Sequence, residues 1–169
     1  MGMKKDFLLP SPMLKPEQFR TVRNAIGHLN KVKAGEQDSN DNMHRSANHR
    51  ESTLEVIRSV EKNGGNRMKG IGPACLDKVK GFYDVYGRLY WDRPSITITH
   101  YARNPASGRF THPEQDRGLT MREAALLQSF PINFIFEGSF DSIFRQIGEA
   151  VPPKFATAIA INSLIEYFS

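Results

Sequence analysis

The sequence contains one cysteine, Cys75, among its 169 residues. A single thiol excludes a disulfide within the chain and leaves no Cys/His set with the spacing of a zinc site, so we predict no metal site. The apolar runs fall short of the roughly 20 residues that a membrane span needs, and the first residues lack the apolar region of a signal peptide. These absences predict a cytoplasmic protein that does not enter a membrane.

Acidic residues are outnumbered by basic ones. The chain carries 23 Lys and Arg against 18 Asp and Glu, which gives a formal net charge of +5 and a pI near 9.4. This balance favours an anionic partner such as nucleic acid, although ribosomal, membrane-surface and plain basic proteins share it. With 39% hydrophobic residues, the chain has enough apolar material for one domain with a core and too little for two large domains.

Hydrophobic periodicity predicts two helices in the first third of the chain. Residues 1–16 contain three prolines and little periodicity, which is typical of an extended lead-in. Residues 19–29 place apolar side chains on one helical stripe. Residues 51–63 do the same, and Gly64 offers a left-handed stop.

Between residues 66 and 117, glycine, tyrosine and arginine alternate with short β-rich runs. In the run "SITITHY", strict alternation puts Ile96 and Ile98 on one face of a strand. The opposite face would carry Thr97, Thr99 and Tyr101. We therefore predict a mostly β region with one packed face and one outer face, which either contacts a partner or is simply solvated.

The C-terminal third predicts three helices. Thr120 and Glu123 form a capping box that opens a helix ended by Pro131. A short helix follows over residues 141–147. The last helix, over residues 153–168, is apolar around most of its circumference and so needs cover on more than one side. Either it is the centre of a small core or it docks into another chain, and the loop-rich remainder favours the second interpretation.

Two C-terminal stretches carry a family resemblance. "DRGLTMREAALLQSFP" and "RQIGEAVPPKFATAIA" resemble the last two conserved blocks of the DNA (cytosine-5) methyltransferases, and "YGRLYWDRPSITIT" resembles the target-recognition region before them. The earlier blocks of the family are missing: there is no Phe-x-Gly-x-Gly loop, Pro-Cys-Gln, Glu-Asn-Val or Gln-x-Arg-x-Arg. Cys75 lies in "GPACLDK", a different context, so no catalytic residue is predicted in this chain.

The resemblance implies the C-terminal part of such an enzyme and an α+β fold. It predicts an irregular, mostly β target-recognition domain with flanking helices, followed by C-terminal helices that belong to a Rossmann-like methyltransferase fold otherwise absent. The implied division is a lead-in segment over 1–16, a recognition domain over 17–115 and a C-terminal helical segment over 116–169. Such a chain would recognise DNA and complete a cofactor site but transfer no methyl group without the catalytic half.

Two other functions stay open: a stand-alone sequence-specific DNA-binding module, and an assembly subunit that self-associates through its last helix. The implied partners are double-stranded DNA and either a catalytic methyltransferase chain or a missing N-terminal half. The expected DNA contacts are Arg88, Arg93, Thr97, Thr99, Tyr101, Arg103 and Arg109.

The resemblance also assigns two further residue sets. The residues expected to organise the recognition region against the catalytic domain are Arg117, Thr120, Arg122, Glu123 and Gln146. Those expected to complete an S-adenosylmethionine pocket, with the catalytic half present, are Gly148, Glu149, Ala150 and Val151. Glu149 stands where the family usually has asparagine, and an ionised carboxylate accepts hydrogen bonds but cannot donate them as an amide does.

Overall fold

A computed structural model of the chain describes residues 11–78 and 83–168. These residues form short helices joined by turns and irregular segments, and two 3₁₀ turns lie at Pro16–Gln18 and Pro105–Ser107. The α-helices are α1 (Val22–Ile26), α2 (Glu51–Ser59), α3 (Cys75–Lys78), α4 (Met121–Leu127), α5 (Phe140–Glu149) and α6 (Pro153–Phe168).

The C-terminal helices begin where local sequence signals place them. The Thr120 hydroxyl oxygen accepts from the Glu123 N–H at 3.1 Å, and a Glu123 carboxylate oxygen accepts from the Thr120 N–H at 2.8 Å, so the predicted capping box is confirmed. The helices predicted around residues 141–147 and after Pro152 are confirmed as α5 and α6. Pro153 is the first residue of α6, where a missing N–H leaves no hydrogen bond unmade.

The N-terminal helices are shorter than their periodicity predicts. The stripe over residues 19–29 becomes the five-residue α1. Helix α2 ends at Ser59 because Val60 turns to an extended conformation, so the predicted stop at Gly64 is wrong. Gly64 does adopt a left-handed conformation, with φ of 102°, but in the turn that follows the helix.

The prediction of an α+β chain with a mostly β recognition region is wrong. The described residues contain isolated bridges, Gln37 with Arg45 and Thr111 with Arg88 and Gly118, in place of a sheet. Residues 95–101 form no strand. Their alternation holds only in part, because Ile98 is buried and Thr97 and Tyr101 are exposed, whereas Ile96 and Thr99 are both partly buried.

Two arginine side chains bond backbone carbonyls of the irregular middle region and of α2. The Arg88 guanidinium donates to the carbonyl oxygens of Ile57, Val60, His112 and Gln115 at 2.8–3.0 Å. The Arg109 guanidinium donates to the carbonyls of Gly64, Gly65 and Arg88. Buried carbonyls need a hydrogen-bond donor, and here side chains supply it where a sheet would use neighbouring strands.

The main core joins the middle of the chain to its C-terminal helices. Side chains of α1, α4 and α5 pack with buried residues such as Leu89 and Ile98. This core crosses the predicted boundary between residues 115 and 116. A second, smaller core forms between α2 and the segment that contains Val85 and Tyr86. Helix α6 contributes none of its described side chains to either core. Within the described ranges, no helix combines the length and apolarity needed to cross a membrane.

Candidate functional site

A buried ion pair stands at the start of α4. The two terminal nitrogens of Arg117 donate to the two Glu123 carboxylate oxygens at 2.8 and 2.7 Å, and Arg117 Nε donates to the Val32 carbonyl at 2.9 Å. Burial would raise the pKa of Glu123, but the charge and hydrogen bonds of Arg117 outweigh it and lower that pKa to about 2. Glu123 is therefore an ionised acceptor that both caps the helix and holds Arg117.

The Thr120 hydroxyl connects this pair to a histidine. His44 Nε2 lies 2.7 Å from the Asn30 carbonyl oxygen, and Nδ1 lies 3.0 Å from the Thr120 hydroxyl. Because a carbonyl only accepts, Nε2 carries the proton and Nδ1 accepts from Thr120. The loop over residues 30–44 is thereby fastened to the N-terminus of α4.

Arg122 fastens the same loop at a second point. Its Nε and Nη2 donate to the two Asp41 carboxylate oxygens at 2.6 and 3.0 Å, and its backbone N–H donates to the Met43 carbonyl at 2.8 Å. Burial would raise the pKa of Asp41, but the hydrogen bond and charge of Arg122 outweigh it, so the pKa is lowered. The structure thus brings four predicted organising residues together at α4. Gln146 lies apart on α5, where its amide donates to the Glu137 carbonyl at 2.8 Å.

Sequence reasoning missed His112, which lies beside the same ion pair. Its Nδ1 accepts from the backbone N–H groups of Glu114 and Gln115 at 3.1 and 2.9 Å, and its Nε2 lies 3.7 Å from a Glu123 oxygen. Burial lowers the pKa of His112 to about 3, against the opposing attraction of Glu123, so the ring is neutral. No periodicity or motif in the sequence singled it out, because its partners meet only in the fold.

Two of the arginines predicted to contact DNA are internal. All five N–H donors of Arg88 are used: four bond backbone carbonyls and the fifth bonds Asp116. Arg109 is also buried, and beyond its three carbonyl partners it bonds Asn66 and Asp84. Both side chains hold the irregular middle region together, and neither presents an unbonded N–H donor to a ligand.

The other predicted DNA contacts lie at the surface to different degrees. Arg93, Thr97 and Tyr101 are exposed, and Thr99 is partly buried. Arg103 is partly exposed, and its Nε pairs with a carboxylate oxygen of Asp141 at 2.6 Å.

The residues predicted to face a cofactor lie where α5 ends. A Cβ on Gly148 would come within 2.1 Å of the His100 nitrogen and 2.3 Å of the Thr99 carbonyl carbon, so this glycine makes room for the chain's own backbone. Glu149 is exposed and pairs with Arg145 at 2.9 Å. Ala150 packs partly against the main core, whereas Val151 is exposed.

The N-terminus of α6 has little capacity left for an anion. Pro153 has no N–H, and the Lys154 N–H donates to the Ser129 hydroxyl at 3.1 Å. Of the residues predicted to face a cofactor, Glu149 and Val151 are thus at the surface, while Gly148 is packed against the backbone of residues 99–100.

Comparison with known proteins identifies the family. The profile described as C-5 cytosine-specific DNA methylase matches residues 2–164. The chain belongs to this family of cytosine methylases. The match includes the Arg117–Glu123 pair, α5 and most of α6, so these features lie within the methylase sequence.

Individual methylases show how much of the family the chain represents. It is 38% identical to type II methylase M.HgiDII of Herpetosiphon aurantiacus, over 88% of this chain and 44% of that protein. It is 39% identical to type II methyltransferase M1.HphI of Haemophilus parahaemolyticus, over 95% of this chain and 41% of that protein. The chain spans less than half the length of these two curated relatives. Type II methyltransferase M.AquIB of Picosynechococcus is 37% identical over 128 residues, which cover 83% of its own length.

Exposed apolar side chains of this methylase chain include two groups in its C-terminal third. On α6, Phe155, Ile161 and Leu164 are 53–57% exposed. Before α5, Ile132 and Ile135 are 52% and 77% exposed, beside a cluster of three phenylalanine rings whose centroids lie 4.7–4.9 Å apart. Large exposed apolar side chains that form a patch are typical of a surface that another protein covers.

Proposed function

We propose that this chain is the DNA-recognition and cofactor-site-completing part of a DNA (cytosine-5) methyltransferase. It acts together with a catalytic half that carries the nucleophile block, whether on a second chain or on the same protein. By itself the chain transfers no methyl group, because none of its residues matches the Pro-Cys-Gln cysteine of the resembling family.

The observation that carries this proposal is the uncovered surface of α6. The helix lies in the methylase match, yet its described apolar side chains belong to neither core of this chain. Burying such side chains stabilises an assembly by roughly 25 cal/mol per Å² of apolar surface removed from water. A catalytic half with a complementary apolar face would supply that burial.

The extent of the family match supports the same division. The chain aligns with 44% and 41% of two relatives, which leaves more than half of each for functions that this chain does not perform. The 128-residue match covers 83% of the length of the Picosynechococcus relative, so the family contains another chain of similar length.

DNA recognition is proposed for the exposed residues of the middle region. Arg93, Thr97, Thr99, Tyr101 and Arg103 remain candidates, because each has some surface exposure. The charge of +5 supports attraction to a phosphate backbone. Arg88 and Arg109 take the structural role described above.

The proposed cofactor is S-adenosylmethionine, bound only when the catalytic half is present. Glu149, Ala150 and Val151 would form one edge of that pocket, and Gly148 would set the position of this edge by its close contact with residues 99–100. When bound, the cofactor supplies the methyl group. The Arg145 guanidinium partly compensates the Glu149 charge at this edge.

The experiment compares methyl transfer by three preparations. Tritiated S-adenosylmethionine and duplex DNA are incubated with this chain alone, with the part of M.HgiDII outside its match to this chain, and with both together. We expect labelled DNA only from the mixture. Methyl transfer by this chain alone would overturn the proposal.

A second readout separates the alternatives. Size-exclusion chromatography of the same mixture should show a one-to-one complex. DNA binding by this chain without complex formation or methyl transfer favours the stand-alone DNA-binding module. A stable homodimer whose formation is abolished by Leu164→Gln favours the self-associating subunit.

A further inference from the structure

Arg93 differs from the arginines around it in having no hydrogen-bond acceptor among residues 11–78 and 83–168. Arg88 and Arg109 use their donors inside the chain, and Arg103 pairs with Asp141. Arg93 is exposed, and no oxygen of the described residues accepts from its guanidinium. Its neighbour Asp92 is already paired with Arg23 at 2.7 Å. Arg93 therefore presents unbonded donors to the solvent.

The Arg93 guanidinium is nevertheless held in place. Its carbon Cζ lies 4.2 Å from the centroid of the Tyr90 ring, which is a cation–π contact. The Arg93 backbone carbonyl accepts from the Val22 N–H at 2.9 Å, so the main chain at this position is fixed as well. A guanidinium stacked on a ring loses less conformational freedom when it binds an acceptor.

The Tyr90 ring is itself held in place by contacts with Gly64 and Arg109. A Cβ on Gly64 would come within 1.9 Å of Tyr90 Cε1, so the ring packs directly on the glycine backbone. The buried Arg109 guanidinium also lies over this ring, with its Cζ 5.2 Å from the centroid. The Tyr90 ring is thus held between the Gly64 backbone and the guanidinium groups that lie over it.

We infer that Arg93, positioned by Tyr90, is a specificity-determining or anchoring contact to DNA, donating hydrogen bonds to acceptor atoms of the duplex. The inference rests on the proposed function and deepens its DNA-recognition part. Guanine O6 with N7 and a backbone phosphate both present acceptors that match a planar guanidinium. Tyr90 acts through Arg93 and is a positioning residue.

The test measures affinity by fluorescence anisotropy with the purified full chain. Two labelled duplexes serve as probes, one of mixed sequence and one containing only A·T pairs, at about 50 and about 200 mM salt. We expect Arg93→Ala to weaken binding of the mixed duplex about tenfold. A guanine contact leaves the A·T duplex unaffected, whereas a phosphate contact weakens both and lowers the salt slope by about 1.

Matched variants separate the effect of where the Arg93 guanidinium lies from the effect of losing one positive charge. Arg58→Ala removes the same charge from a half-exposed arginine of α2 and should leave affinity unchanged. Tyr90→Leu should weaken binding as much as Arg93→Ala although the charge remains, and the double variant should lose nothing more. Tyr90→Phe keeps the ring and should bind normally, and the circular dichroism spectrum of Tyr90→Leu checks that this variant folds.

Each outcome bears on a different claim. If the unaltered chain binds neither duplex, the DNA-recognition part of the proposed function fails. If it binds and Arg93→Ala behaves like Arg58→Ala, only the inference about Arg93 fails. If Arg93→Ala weakens binding but a folded Tyr90→Leu does not, the positioning role of Tyr90 is overturned.

Discussion

Proteins usually bury apolar residues and expose charged ones. Two regions of this chain do the opposite: the charged network at the start of α4, formed by Arg117, Thr120, Arg122 and Glu123, and the helix α6. In the network, side chains of opposite charge lie in the interior, with Arg117 and Glu123 almost completely buried. On α6, large apolar side chains lie more than half exposed. One region hides its polar groups and the other displays its apolar groups.

The difference lies in where each region finds its partners. Arg117 satisfies its donors on Glu123, on Val32 and on other groups of the same chain. A buried charge is tolerated only with such compensation. On α6, by contrast, Phe155, Ile161 and Leu164 are more than half exposed. The charged network therefore finds its partners within this chain, whereas α6 leaves large apolar side chains exposed.

The largest effect should come from breaking the network. We expect Glu123→Ala to lower the free energy of unfolding by about 3–5 kcal/mol, because Arg117 would stay buried without its counter-charge. Urea unfolding followed by circular dichroism measures the change. The control is Arg145→Ala, which removes the exposed pair with Glu149 and should cost less than about 1 kcal/mol. Equal losses in the two variants would contradict the distinction between buried and exposed pairs.

A smaller effect should follow acidification. The pKa of His112 falls from the ordinary 6.5 to about 3 in the folded chain, so between these values only the unfolded chain binds the proton. The free energy of unfolding should therefore fall as pH is lowered, by about 2 kcal/mol between about pH 7 and about pH 5. Burial also lowers the pKa of His49, which acts in the same direction.

Two variants test whether His112 causes this pH dependence of stability. His112→Asn should be less stable at neutral pH but lose less on acidification, because the group that titrates only in the unfolded chain has gone. The control His28→Asn changes an exposed histidine and should keep the full slope. An unchanged slope in His112→Asn would show that other groups cause the acid sensitivity.

The smallest effect on folding should come from α6. We expect Ile161→Gln and Leu164→Gln to change the free energy of unfolding by less than about 0.5 kcal/mol, because both side chains are exposed in this chain. The matched buried variant, Leu126→Gln in α4, should cost about 3 kcal/mol. A large loss of stability in the α6 variants would mean that the helix packs against its own chain.

Several features of the fold follow from short stretches of sequence. The Thr120–Glu123 capping box and Pro153 at the first position of α6 depend on residues within one helical turn, so pattern reading located both helices. The alternation of residues 95–101 predicted only in part which side chains turn inward. It did not predict the missing sheet, because pairing with a second strand depends on residues far away in the sequence.

The sequence by itself determined the starts of α4 and α6, the apolar character of α6 and the resemblance to the methyltransferase blocks, because capping and periodicity act over a few neighbouring residues. Only the tertiary structure decided which arginines are internal, which one is presented on Tyr90, and that His112 joins the ion pair. Those outcomes depend on contacts between distant residues, such as Arg117 with Val32 across 85 positions. Burial and hydrogen bonding of a side chain are set by such contacts, and no local pattern encodes them.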